Sequence, residues 1–118
     1  MKFEKWLKKH LEGDIPESIV AFNFNLYECS DEKMYDVQLV GSSTYNIDND
    51  DWACNTEFST GEDVFTFSSN DWEAALDMFM IMIRDFMATN KNNRLIDAEY
   101  VTAGFVDGDL NIVSLKNN

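Results

Sequence analysis

The side chains best spaced for chemistry lie between Asn46 and Glu57. Asn46, Asp48, Asp50 and Glu57 fall at positions one, three, five and twelve of a twelve-residue calcium loop, where oxygen ligands would suit a hard divalent cation. The pattern breaks at position six, which must turn sharply and normally holds glycine; here it is Asp51. Position one is asparagine, and no amphipathic helix precedes the loop. The stretch reads as a solvated acidic loop, and no metal is expected.

Other reactive groups are sparse. His10 is the single histidine, and it shares an apolar helical stripe with Phe3, Trp6 and Leu7. There a helix C-terminus favours its charge more simply than a reaction would use it as a base. Cys29 and Cys54 are not spaced as a metal or redox pair, which predicts reduced thiols, with a disulfide between them as the alternative. Paired carboxylates could run acid/base or glycosidase chemistry, but among 22 acids many fall close together by chance. Neither a nucleophile-elbow motif, nor a phosphate-cradling glycine loop, nor a Cys/His cluster occurs. Met78, Met80, Met82 and Met87 could line an adaptable groove, although filling a core is their simpler use. These residues predict no catalytic site and no cofactor. The chain reads as a binding protein.

The elements that would position these groups follow from periodicity. Phe3, Trp6, Leu7, His10 and Leu11 recur at three-and-four spacing, which predicts a short amphipathic helix stopped by Gly13. Ser18–Cys29 alternates as a strand, with Val20, Phe22, Phe24 and Leu26 on one face. Met34–Gly41 returns as a second strand after the polar turn Ser30–Lys33. Trp52–Phe58 and Val64–Phe67 are expected as a third and a fourth strand, with Gly61 turning between them. Asn70 followed by Glu73 suggests a capping box for a helix over Trp72–Met87. That helix is apolar around most of its circumference, so it is expected to be buried on more than one side. Asn90–Arg94 reads as a polar connector, and Asp107-Gly108 as a tight type I′ hairpin turn between Glu99–Val106 and Leu110–Leu115. The expectation is one α+β domain over residues 1–118: an antiparallel sheet of about six strands built from hairpins, packed by one long buried helix and a short N-terminal helix.

Charge carries the functional information. Twenty-two acids against nine bases give a net charge of −13, which repels DNA, RNA and anionic lipid. The excess is not uniform. Residues 1–12 hold four lysines and two glutamates, whereas residues 13–83 hold fifteen acids and the single base Lys33. Within that stretch Asp48, Asp50, Asp51, Glu57, Glu62 and Asp63 gather near Tyr45, Trp52 and Phe58. Acids interleaved with aromatics suit docking against a basic protein partner, with Trp52 fitting either an interface anchor or a core position. The alternative for the acids is charge that serves solubility alone. The first ten residues lack the apolar run of a signal peptide, and no window reaches the ~18 apolar residues of a membrane helix; a cytoplasmic location is expected.

The stretches Ala21–Glu28, Asp51–Cys54 and Gly104–Leu110, in a small acidic chain without catalytic groups, resemble in type the bacterial immunity proteins of polymorphic-toxin and contact-dependent growth inhibition systems. The resemblance implies an inhibitor that binds a cognate toxin, often a basic nuclease, and blocks its active site or an adjoining surface. It carries no binding residue over by position. Two rivals stand beside it: a nucleic-acid mimic of the anti-restriction kind, which should spread its acids along an elongated surface, and a small cytosolic domain of another function.

Overall fold

The computed structural model describes residues 2–31 and 33–116. Alternation in β1 (Ala21–Glu28) turns Phe22, Phe24 and Leu26 to one side of a sheet, where none is exposed. Tyr35, Val37 and Leu39 of β2 (Met34–Ser42) do the same beside them. β1 and β2 pair antiparallel, with Phe24 opposite Leu39, as the alternation predicts for a hairpin. Phe58–Ser59 forms β3, Phe65–Ser68 β4, Tyr100–Phe105 β5 and Asn111–Leu115 β6. The helices are α1 (Lys2–Leu11), α2 (Trp72–Thr89) and a four-residue α3 (Arg94–Asp97) that starts at the last residue of the expected polar connector. In α3, Arg94 donates to the carbonyl oxygens of Ile15 and Pro16 at 3.0 and 2.8 Å, tying down the segment before β1.

The fold is α+β with six strands, but the sheet is mixed where hairpins alone would make it antiparallel. Its order is β3-β2-β1-β5-β6, with β4 also on β2. β5 lies parallel to the central β1, Phe24 opposite Ala103. Parallel neighbours need a crossover, and here α2 carries the chain back across the sheet. β3 and β4 do not pair with each other. Both lie on the outer edge of β2, Ser59 opposite Val40 and Phe65 opposite Val37. Between them Gly61 takes φ +62°, and residues 61–64 bulge out of the edge.

α1 and α2 cover the first face of the sheet. Phe79 of α2 sits unexposed with its ring centroid 5.2 Å from Phe3, 5.4 Å from Phe24 and 5.8 Å from Phe67. The expectation that α2 is buried on several sides is corrected. Ala75, Phe79, Ile83 and Phe86 face inward, while Trp72, Met78 and Ile81 are 52%, 42% and 56% exposed. A two-layer fold offers a helix one face to bury against, whatever lies on the other. Its cap is Asp71, whose carboxylate accepts from the Ala74 amide at 2.8 Å, in place of the expected Asn70–Glu73 box. The turn at Gly108 is also corrected. β5 and β6 pair antiparallel, but Gly108 is not at positive φ; its amide donates to the Phe105 carbonyl at 2.9 Å.

Candidate functional site

The second face of the sheet carries the acidic loop. Asn46 and Asn49 brace it, each side-chain oxygen accepting from the amide two residues on, Asp48 and Asp51, at 2.9 Å. Asn49 thereby caps a 3-10 turn over Asp50–Cys54, where the sequence predicts the start of a strand. Of the expected third strand only its last residue, Phe58, pairs with the sheet, together with Ser59 beyond it.

The turn drives Trp52 inward. Its indole is 6% exposed and packs against Ala21 and Tyr100, with ring centroids 5.6 Å apart to the tyrosine. Tyr45 stacks on the same Tyr100 at 5.0 Å, and its hydroxyl donates to Glu99 at 3.2 Å. Burial raises the Tyr100 hydroxyl above its ordinary pKa, with the charges of Asp50 and Asp48 adding to it. Tyr45 rises too, through burial and then its bond to Glu99. Trp52 is therefore a packing residue beneath the loop, and the core alternative describes it. Its Nε1 is buried and has no hydrogen-bond partner among the described residues.

Asp48, Asp50 and Asp51 are exposed above this aromatic pillar. The Asp50 carboxylate also accepts from the Leu110 amide at 3.1 Å, which joins the loop to the β5–β6 turn. Glu57 accepts from the Ser43 amide at 2.8 Å at the base of the loop. Among the described residues, the ion pairs are Lys8–Glu4, Lys9–Asp63 and His10–Asp63, so the loop acids belong to none of them.

The remaining two acids stand elsewhere. Glu62 and Asp63 lie on the bulge between β3 and β4, and α1 claims Asp63. Lys9 pairs with its carboxylate, and His10 Nε2 lies 2.9 Å from the same oxygen. The Lys9 hydrogen bond, and after it the charges of Lys9 and His10, hold Asp63 below the ordinary carboxylate range despite some desolvation. The acids clustered in sequence thus form a braced loop on one face and a helix latch at the sheet edge. Sequence reading missed the part of the β5–β6 turn. Asp107-Gly108-Asp109 was legible as a turn, but its link to the loop runs through the Leu110 main-chain amide, which no side-chain pattern announces.

Next to the loop, the second face is polar. Thr102 donates to Asn23 at 2.8 Å, Asn23 donates to Asn25 at 2.6 Å, and Tyr27 donates to Gln38 at 3.1 Å. These groups satisfy one another and leave no nucleophile beside a base. Cys29 and Cys54 are free thiols, and burial is the first cause that raises Cys29 above its ordinary value. Among the described residues, no three His, Cys, Asp or Glu side chains converge as a metal would need, and no helix is long and apolar enough to cross a membrane. What the arrangement offers is a set of exposed carboxylates held in place. Comparison with family models, curated proteins and solved structures finds no match to this chain.

Proposed function

We propose that the chain is an inhibitory binding protein of the immunity kind, which neutralises a cognate toxin by docking its acidic surface on a basic nuclease domain. The observation that carries this reading is the Asp48–Asp51 segment: exposed carboxylates outside any ion pair among the described residues, on a loop braced by two asparagines and an aromatic pillar. Charge of one sign speeds encounter with an oppositely charged surface. A loop already fixed in shape loses less entropy when it docks. Glu57 and Glu62 extend the negative field, and Trp52 supports the loop from below.

The test is neutralisation. The gene immediately upstream is read for a large secreted protein, and the chain is co-expressed with the C-terminal domain of any such protein found there. Rescue of growth and a salt-sensitive complex are expected, with association slowed by Asp48→Asn/Asp50→Asn/Asp51→Asn. Absence of both rescue and complex overturns the reading.

A further inference from the structure

A second acidic feature lies on the first face, connected to the braced loop through the β5–β6 turn. Where α2 begins, Trp72, Leu76 and Phe105 form the apolar wall of an open cavity of about 310 Å³. Glu28, Asp107 and Asp109 supply its charged groups, and no Lys, Arg or His lines it among the described residues. That volume is at the lower end of the ~300–1,000 Å³ typical of ligand clefts, enough for one long side chain rather than a polymer. Trp72 is the single tryptophan left exposed, at 52%, while Trp6 and Trp52 are buried. Phe105 meets it edge-to-face, centroids 6.2 Å apart, which supports the indole from one side.

These parts select a cation with an apolar stem. An aromatic face attracts a cation through its quadrupole, and carboxylates attract it through charge. The start of a helix works against a cation, since its free amides carry partial positive charge. Here the Asp71 carboxylate caps one of those amides, that of Ala74, and Glu73 sits in the first turn, so two acidic side chains offset them. Among cations, arginine fits best: its guanidinium is planar, stacks on aromatic faces and presents five donors to several acceptors, whereas an ammonium is a compact point charge.

We propose that this cavity is an arginine-recognition site, which takes one arginine side chain of the basic partner. The identity of that partner rests on the inhibitory reading above; the binding chemistry does not. The apolar wall would hold the methylene stem, and the rim carboxylates would accept from the guanidinium, with the indole stacked on it.

The probe is N-acetyl-arginine methylamide, titrated into the full chain and followed by ¹H–¹⁵N NMR. N-acetyl-citrulline methylamide, nearly the same shape without the charge, is the control. Saturating shifts of the Trp72 indole and of the amides of residues 107–109 are expected with arginine, and binding at least about fivefold weaker with citrulline. Trp72→Ala should weaken arginine binding by about two- to fivefold, the size of one exposed cation–π contact, and Trp72→Phe by less. Asp107→Asn/Asp109→Asn should weaken it at least as much. Affinity unchanged by these variants, or shifts that never saturate and spread equally over Asp48–Asp51, would overturn the site. Failure of the two readings is separable. Arginine bound at Trp72 with no toxin complex leaves the site and removes the inhibitory reading. A toxin complex indifferent to Trp72→Ala and Asp107→Asn/Asp109→Asn removes the site and leaves the inhibitory reading.

Discussion

The Trp6 indole donates to the backbone carbonyl of Asp63 at 2.9 Å, across 57 residues of sequence. Lys9 and His10, on the next turn of α1, hold the carboxylate of the same residue. One bulge residue thus receives α1 through both its main chain and its side chain. The bulge is the place where the outer edge of β2 changes from β3 to β4, so the latch also closes the interrupted edge. An edge strand broken this way, with its gap filled by a helix, is a poor template for pairing with another chain.

The pH dependence of this latch has a defined sign. The folded pKa of Asp63 is lowered from the ordinary value of 3.8, so its contribution is complete above that value and is lost as pH falls through the folded pKa. Asp63→Asn should therefore destabilise the chain at pH 6 and flatten the acid limb below about pH 4. Urea unfolding across pH 2–6 checks it. Equal stability differences between wild type and variant at both ends would remove Asp63 from the acid transition.

Phe79→Ala should cost about 3–5 kcal/mol, the usual range for emptying a buried aromatic site. Phe79 touches residues from α1, β1 and β4, and none of these can collapse into the space without leaving its own layer. Chemical denaturation measures the loss. A change under about 1 kcal/mol would mean that the layers repack freely around the hole.

The glycines rank in an order the hairpin signal alone would reverse. A Cβ at Gly108 meets nothing closer than 3.7 Å, so Gly108→Ala should be nearly neutral. At Gly104 the same atom would lie 2.5 Å from the Asp109 carbonyl oxygen, and Gly104→Ala should cost about 1–3 kcal/mol. Gly61→Ala should fall between them, at about 1–2 kcal/mol, from left-handed backbone strain in open space. Thermal melts of the three variants test the ranking.

Asp48→Asn/Asp50→Asn/Asp51→Asn should leave the fold within about 1 kcal/mol of wild type, because the amide at position 50 still offers an oxygen to Leu110. Trp52→Ala should cost about 3–5 kcal/mol, since it removes the pillar under the loop. Trp52→Phe should cost much less, because it keeps a ring against Tyr100 and removes a buried N–H without a partner. Circular dichroism melts distinguish the three. A Trp52→Ala chain as stable as wild type would place the indole outside the core.

Local pattern was enough for much of this architecture. The three-and-four stripe of Phe3, Trp6, Leu7 and Leu11 determined α1 and its buried face. Period-two alternation determined β1 and β2, the face each presents, and their pairing across a short polar turn. The excess of acids between residues 13 and 83 was equally plain in the composition. Each of these is a property of neighbours along the chain.

What tertiary structure decided involves partners far apart. Nothing local to Phe24 says that Ala103 runs parallel beside it, because strand alternation is the same in either direction. β3 and β4 read as a hairpin by spacing, yet both found the free edge of β2, where each meets an already ordered strand. Trp52 sits in an acidic loop where its sequence fits either an interface anchor or a core position, and Ala21 of β1 together with Tyr100, arriving through the parallel crossover, gives the indole a surface to bury against. Asp63 stays at the surface, and only the fold brings Trp6, Lys9 and His10 of α1 to it. Periodicity specifies which face of an element is apolar; which element covers that face is set by the packing of the whole chain, and that choice separated the acid paired with α1 from the acids left outside ion pairs on the loop.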